Sequence, residues 1–263
     1  MVSGDAPSSF DQAATALRNA RAQGAAVLPF SDVDGHLDET WGYKVQAPDR
    51  SYRLAAGERV VGAKLGLTSE AKQRRMSVDR PIAGFLTDVM LMSEDSIAHR
   101  LSRWIQPRIE PEIAFTTARP IADPLDLAGV VDVVAGVAVA AEIIDSRFVD
   151  YRFRLPDVLA DNTSAAGVLL GPLQSRKDLN DLSALKCTVS VDGHQVHEAT
   201  GAAILGNPLL ALVWLSEHLA SRGEVLPAGS LVLAGALTDA VPLRTRTNYR
   251  LEIEGLGAID VRT

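Results

Sequence analysis

Residues 109–116 read IEPEIAFT and residues 137–147 read VAVAAEIIDSR, and these two stretches decide the fold. Both are apolar runs of strand length that contain carboxylates, Glu110 and Glu112 in the first and Glu142 in the second. Ionised carboxylates are rarely buried unless they are paired or bind a metal. Side chains alternate along a strand, so Glu110 and Glu112 are expected on one face. With Glu142 on a neighbouring strand, the three would converge.

Two interpretations of the glutamates follow from the residues alone. Three converging carboxylates with open positions suit a hard cation such as Mg²⁺ or Mn²⁺, which prefers oxygen ligands. Alternatively, the strands are partly exposed and the glutamates pair with Arg108 and Arg147. The spacing does not decide between a metal site and ion pairs.

The composition is that of an ordinary globular protein. The chain has 263 residues, of which 47% are hydrophobic and 22% are charged. A net charge of −7 without a concentrated basic stripe argues against a nucleic acid or an anionic membrane as partner. The single cysteine, Cys187, excludes an internal disulfide and is expected in the core. No signal-like or membrane-spanning apolar run is present, which predicts a cytoplasmic protein.

Helical patterns dominate the first part of the chain. Helical spacing covers residues 11–23 and ends at Gly24, and a second helix is expected after residue 34. Pro48 predicts that this second helix is short or kinked. We therefore assign residues 1–60 to a helical N-terminal region and residues 61–263 to a β-rich catalytic domain.

Short strands joined by turns dominate the rest. One clear helix is expected after Asn207-Pro208, with Arg222-Gly223 at its end, and His218 is interpreted as a charge partner of its C-terminus. Irregular strand spacing favours an α+β fold, a mixed β-roll or sandwich, over alternating βαβ units. The predicted strands and the tight turn are residues 60–67, 112–116, 137–144, 185–191, 230–234 and 249–253, with the turn at 191–194.

Further polar groups lie among apolar neighbours. Lys64 is flanked by apolar residues and by glycines, so it is either a partly buried lysine near an anion or a strand lysine that extends to solvent. Residues 160–167 form a turn rich in hydroxyl and amide groups, which either binds a carboxylate or shapes a loop. Residues 234–238 form a glycine-containing strand end.

Six segments, in order along the chain from about residue 60, resemble one family. It comprises the 2-oxopent-4-enoate hydratases and 2-oxohex-3-enedioate (4-oxalocrotonate) decarboxylases of meta-cleavage pathways, within the fumarylacetoacetate hydrolase superfamily. The resemblance implies a β-rich roll of that type with helices packed outside it. The matching segments are VVGAKLGLTSEAKQ, QPRIEPEIAF, AAEIIDSRF, LPDVLADNTSAAGVLLG, GAAILGNP and LPAGSLVLAGALTDAVPL.

The resemblance also implies roles for individual residues. Glu110, Glu112 and Glu142 would ligate Mg²⁺ or Mn²⁺, and the substrate's 1-carboxylate and 2-oxo group would chelate that ion. Lys64 would lie beside the substrate as a proton donor or charge partner. The remaining substrate-binding positions would be the backbone near Leu67, with Ser164, Asn162 and, on the pocket wall, Thr238.

One position bears on the choice between the two activities. Hydratases of this family usually read Val-Asp-x-Pro-Asp-Phe-Gly, whereas residues 78–84 here read VDRPIAG, so Ile82 replaces the second aspartate. Isoleucine can neither abstract a proton nor hold a water, and an apolar site suits loss of CO₂ from a poorly hydrated carboxylate. We therefore expect a metal-dependent decarboxylase of aromatic catabolism, with Arg80 or another basic group receiving the distal carboxylate.

Two alternatives stay open. The first is 2-oxopent-4-enoate hydratase, and the second is a non-catalytic subunit that binds a partner enzyme. The resemblance also implies a small unsaturated 2-oxo acid as substrate, a homo-oligomer, and association with the companion hydratase or decarboxylase. Loss of Lys64, Glu110, Glu112 or Glu142 would favour the non-catalytic role, but all four are present.

Overall fold

Two β-sheets form the body of the protein, and helices pack against them. A computed structural model describes residue 7, residues 9–175 and residues 181–263. The other residues of the predicted N-terminal region, 1–6 and 8, lie outside this description. The α-helices are α1 Phe10–Gln23, α2 Glu39–Ala55, α3 Glu70–Met76, α4 Glu94–Leu101, α5 Leu127–Val133, α6 Leu155–Ala160 and α7 Leu209–Ser221.

The larger sheet has eight strands in the described chain and carries the candidate site. Its central order is β2-β1-β9-β3-β4-β5, with β10 on β3 and β6 on β4, and the smaller sheet has the order β12-β11-β7-β8. The strands are β1 Val60–Gly66, β2 Ile82–Thr87, β3 Arg108–Thr117, β4 Val134–Ile144, β5 Ala165–Leu170, β6 Gln174–Ser175, β7 Lys186–Val191, β8 His194–Thr200, β9 Leu231–Ala236, β10 Val241–Pro242, β11 Asn248–Ile253 and β12 Gly257–Arg262.

Alternation along β3 and β4 separates the apolar core from the polar site. Ile109, Ile113 and Phe115 of β3 lie on one face, in a core that also includes residues of α5, α7 and the smaller sheet. Glu110 and Glu112 therefore point to the opposite face. The mixed α+β architecture and its main strands confirm the predicted fold class.

The N-terminal helices share a core with later parts of the chain. Leu17 of α1 and Val45 of α2 pack in one cluster with Phe148 and Ala160. Of the two alternatives predicted for Pro48, a kink stays a prediction. A short second helix was wrong, because α2 runs through Pro48 as one element of 17 residues. Its buried face overrides the local cost of a helical proline, which is about 3 kcal/mol. The division at residue 60 stays a prediction.

The clear helix expected after Asn207-Pro208 is present as α7, but α3, α4, α5 and α6 precede it and were not predicted. All four are short, and side-chain caps support two of them. Ser69 accepts a hydrogen bond from the Lys72 amide, and Asp126 accepts one from the Gly129 amide. Such local caps stabilise helices that are too short to show a clear hydrophobic period.

His218 corrects another expectation. It lies on α7, stacked on Trp214 with ring centroids 4.8 Å apart. Burial, aided by the nearby charge of Arg222, lowers the pKa of His218 to about 4. The side chain is therefore neutral at neutral pH and is not a charge partner of the helix end.

Other expectations hold. Cys187 is buried in the core, and Asp192 and Gly193 both have positive φ in the predicted turn between β7 and β8. In the described parts of the chain, we find no helix with the length and apolar character that crossing a membrane requires.

Candidate active site and metal centre

The three predicted glutamates converge on the polar face of the larger sheet. Glu110 and Glu142 are direct partners in the antiparallel β3–β4 pair, and Glu112 follows two residues later on the same face. One carboxylate oxygen from each lies within 4.8 Å of the others, and all three residues are buried. Like charges placed opposite each other destabilise a sheet, so this arrangement requires compensating positive charge.

Backbone contacts fix the cluster only in part. The amide of Gly235 donates to Glu112 Oε2 at 2.7 Å, in the left-handed backbone (φ 114°) that glycine tolerates. In the described structure, Glu112 Oε1 and Glu142 Oε1 are buried without a hydrogen-bond partner. Unpartnered buried oxygens are costly, and they are the kind of atom that coordinates a cation.

Lys64 supplies positive charge beside the cluster. It reaches in from β1, where its Nζ lies 2.9 Å from Glu142 Oε2 as an ion pair, and only 3% of the residue is exposed. The Nζ also donates to the carbonyl oxygen of Thr163 at 3.2 Å. The structure thus places Lys64 in the interior, not on a solvent-facing strand surface.

The lysine and the glutamates of the cluster shift each other's pKa values. Burial would lower the pKa of Lys64, but the charges of Glu142, Glu110 and Glu112 overcome that effect and raise it. Burial first, then the charge of Glu142, raises the pKa of Glu112 well above its usual value. Burial and the charge of Glu110 likewise raise the pKa of Glu142 to about 7, against the opposing effect of Lys64.

A divalent cation fits this donor set. When all are ionised, three carboxylates and one ammonium carry −3 + 1 = −2, which one doubly charged ion neutralises. Oxygen ligands with free lone pairs match the preference of Mg²⁺, Mn²⁺ and Ca²⁺. The arginine alternative fails, because Arg147 pairs with Asp161 and Arg108 lies over the ring of Tyr151, 4.1 Å from its centroid.

A cavity borders the cluster. Its volume is about 400 Å³, and Glu110 and Lys64 lie in its wall. Its lining contains apolar and aromatic groups, five cationic side chains, and the carboxylates of Glu110 and Asp239. The lining includes Leu67, Met76, Ile82, Tyr151, Phe153, Val158, Ser164, Lys72, Arg75, Arg108 and Arg152.

Two of the predicted substrate-binding residues line this cavity. Leu67 lies at the end of β1 with φ 55°, and the Gln73 side chain donates to its carbonyl oxygen at 2.8 Å. Ser164 precedes β5, and its hydroxyl donates to Asp161 Oδ2 at 3.3 Å. Both are therefore held in place by hydrogen bonds.

The other two are placed differently from the expectation. The Asn162 side chain is fully engaged with Phe85: Nδ2 donates to its carbonyl oxygen at 3.0 Å and Oδ1 accepts from its amide at 2.9 Å. Thr238 is not among the residues that line the cavity, and its hydroxyl donates to the Asp239 carbonyl oxygen. Its own carbonyl oxygen accepts from Lys72 Nζ at 3.2 Å, so Thr238 contacts the site indirectly.

Of the two residues considered in choosing between decarboxylase and hydratase, Ile82 and Arg80, only one lies at the cavity. Ile82 lines the cavity, whereas Arg80 lies outside it and is within ion-pair distance of Glu39 and Asp79. Sequence reasoning identified Lys64 but missed Lys72, Arg75 and Arg152 as further cations of the cavity wall. Arg75 follows Lys72 by one helical turn on α3, and that spacing was the available signal.

The fold and the site together define an α+β protein with a buried acidic centre next to a substrate-sized cavity. The family model described as "Fumarylacetoacetate (FAA) hydrolase C-terminal" matches residues 59–262. The chain belongs to the fumarylacetoacetate hydrolase family, which confirms the resemblance in the sequence.

Relatives divide between two activities. A "4-oxalocrotonate decarboxylase" of Pseudomonas sp. is 41% identical over 81% of this chain and 82% of its own length. A "2-keto-4-pentenoate hydratase" of Burkholderia vietnamiensis is 37% identical over 94% of both chains. The solved structure of a Pseudomonas putida 4-oxalocrotonate decarboxylase, complexed with magnesium and adipate, superposes with a TM-score of 0.89 at 32% identity over 96% of each chain.

Proposed function

We propose that this protein decarboxylates 2-oxohex-3-enedioate (4-oxalocrotonate) to 2-oxopent-4-enoate with the help of a divalent cation. The observation that carries the proposal is the cluster of Glu110, Glu112 and Glu142 beside Lys64, which borders a cavity through Glu110 and Lys64. The same substrate class is named for a relative with 41% identity.

The charges of the cavity favour a diacid. Lys72, Arg75, Arg108 and Arg152 line it, and among the described residues no carboxylate lies in an ion pair with Arg75 or Arg108. A substrate whose 1-carboxylate is bound at the acidic centre through a cation would extend its second carboxylate toward these groups. Arginine is well suited to carboxylate recognition because its planar fork donates two parallel hydrogen bonds.

The chemistry follows from the placement of the side chains. Glu110, Glu112 and Glu142 would hold Mg²⁺ or Mn²⁺, which supplies Lewis-acid stabilisation for negative charge on the substrate's 2-oxo oxygen. The C5–C6 bond of the substrate breaks, CO₂ leaves, and the electron pair moves through the conjugated chain to that oxygen. C3 then takes a proton, and we assign Lys64 Nζ as its donor or as the charge partner of the intermediate.

Ile82 supports decarboxylation over hydration. It lines the cavity and is almost fully buried, so this part of the wall offers no group that orients or deprotonates water. Hydration of 2-oxopent-4-enoate is the second candidate, because a relative with 37% identity carries that name. A non-catalytic subunit is disfavoured by the intact set of Lys64 and the three glutamates.

Several finer features stay predictions of the sequence. Mn²⁺ is proposed beside Mg²⁺ because both accept oxygen ligands in octahedral geometry. A cytoplasmic location, self-association, and a complex with the companion hydratase or decarboxylase belong to the same proposal. Such a complex would place the reactive unsaturated acid close to the enzyme that uses it.

Product analysis by NMR tests the proposal. The purified protein receives Mg²⁺ with either 2-oxohex-3-enedioate or 2-oxopent-4-enoate, and Glu112→Gln serves as the matched inactive control. We expect CO₂ release from the diacid and little water addition to the pentenoate. Faster hydration than decarboxylation would establish the hydratase. No turnover of either acid by a folded, Mg²⁺-loaded protein would support the non-catalytic role.

A further inference from the structure

Next to the candidate site, three consecutive residues adopt an unfavourable, left-handed backbone conformation. Asn162, Thr163 and Ser164 have φ values of 48°, 52° and 61°, and all three are buried. The left-handed region disfavours L-residues, most strongly a β-branched one such as Thr163. Such conformations persist only where the surrounding structure holds them, and they cluster at functional sites.

This left-handed run contacts the candidate proton donor. The carbonyl oxygen of Thr163 accepts from Lys64 Nζ at 3.2 Å, and Glu142 Oε2 lies 2.9 Å from the same nitrogen. An ammonium group has three N–H donors. Within the described structure, these two oxygens fix the position of Nζ and leave one N–H for a further atom.

One side chain ties the run to the sheet. The Asn162 amide donates to the Phe85 carbonyl oxygen and accepts from the Phe85 amide, as a neighbouring strand would. The attachment lies on β2 beside Gly84, the cross-strand partner of Lys64. A Cβ atom at Gly84 would lie 2.5 Å from Thr163 Oγ1, so the run packs closely against β2 at the level of Lys64.

We propose that Asn162 is a positioning residue for the reaction and not a ligand of the substrate. Its amide holds the left-handed run, so that the Thr163 carbonyl oxygen orients Lys64 Nζ toward the reacting atoms. This inference rests on the proposed function, because that function gives Lys64 its role.

Two variants test this role. Asn162→Ala removes the amide, and Asn162→Gly removes it while tolerating positive φ, which protects the fold. For both we expect kcat to fall about 10- to 100-fold, since small misplacements of a reacting group have effects of that size. KM and the dissociation constant of Mg²⁺ should each stay within about threefold of wild type, because the amide binds neither the substrate nor the ion.

Thr117→Val is a matched control. Thr117 is buried on β3, and its hydroxyl makes the same pair of contacts, donating to the Pro227 carbonyl oxygen at 2.9 Å and accepting from the Ser230 amide at 3.0 Å. It lies at the end of β3 remote from the glutamates. We expect a comparable fall in Tm with kcat unchanged, so a general loss of stability cannot imitate the effect.

Kinetics and crystallography together separate this proposal from the proposed function. A kcat of Asn162→Gly within twofold of wild type would overturn the positioning role, and so would a raised KM with unchanged kcat, which would indicate direct substrate binding. In a crystal structure of Asn162→Gly, the hydrogen bond from Lys64 Nζ to the Thr163 carbonyl oxygen should be broken or displaced. Its retention at 3.2 Å would overturn the proposal even if wild-type protein turned over neither acid.

Discussion

Replacing Glu112 with glutamine should raise the stability of the metal-free protein but lower its stability, relative to wild type, when Mg²⁺ is present. Glu112 is fully buried, its Oε2 accepts from Gly235, and its Oε1 has no hydrogen-bond partner in the described structure. Glutamine keeps an acceptor for Gly235 and presents an NH₂ group toward the acidic cluster. Burial raises the pKa of Glu112 well above its usual value, so folding of the metal-free protein costs the uptake of a proton. Glutamine needs no proton and should therefore stabilise the metal-free protein.

The magnitude follows from the unpartnered oxygen. An unsatisfied buried polar group costs about 1–3 kcal/mol. In chains of roughly this size each kcal/mol shifts Tm by about 2–4 °C, so Glu112→Gln should melt roughly 2–12 °C above wild type in EDTA. A ligand at 100 times its Kd stabilises by about 2.7 kcal/mol, and wild type should gain this from Mg²⁺ while the variant gains little.

Calorimetry of both proteins in EDTA and in Mg²⁺ measures this crossover. Glu94→Gln is the matched control, because it makes the same change of charge on the exposed surface of α4. It should shift Tm little in either buffer. The reasoning would be refuted if Glu112→Gln were no more stable than wild type in EDTA, or if Mg²⁺ stabilised the two proteins equally.

Three further predictions concern the cavity wall and the core. Ile82→Asp should slow decarboxylation and admit hydration of 2-oxopent-4-enoate, whereas an unchanged rate and product ratio would show that position 82 does not decide the activity. His218 has a folded-state pKa of about 4 against 6.5 unfolded, so the free energy of unfolding should fall as pH drops below about 6.5. In urea titrations at pH 7.5 and pH 5, His218→Phe should remove about 1 kcal/mol of that decrease, after discounting for partial exposure; equal decreases in both proteins would contradict it. Arg147→Met should destabilise by about 3–5 kcal/mol because it leaves Asp161 buried without its partner, and urea unfolding with a loss below about 1 kcal/mol would exclude this.

The acidic centre could be predicted because strand alternation is a strong local rule. The spacing of Glu110 and Glu112 places both on one face, and the buried flanks indicate that this face lies inside. The pairing of Glu110 with Glu142 is not local information. It depends on the register of β3 against β4, which the family resemblance supplied and the spacing alone did not.

Other features depend on tertiary contacts that no local pattern records. The continuity of α2 through Pro48 comes from its buried face. The neutral state of His218 comes from its burial and from the nearby charge of Arg222. The sequence identified the turn around Asn162 as polar but not the direction of its side chain. That direction depends on a backbone partner, Phe85, 77 residues earlier in the chain.

The central claim is that Glu110, Glu112 and Glu142 bind one divalent cation. The most direct test is a crystal of this protein soaked with Mn²⁺ and measured near the manganese absorption edge. We predict one strong anomalous peak within about 2.0–2.3 Å of an oxygen from each glutamate, as expected for this class of ion. Glutamates without a peak, at Mn²⁺ concentrations that label other sites in the same crystal, would contradict the account.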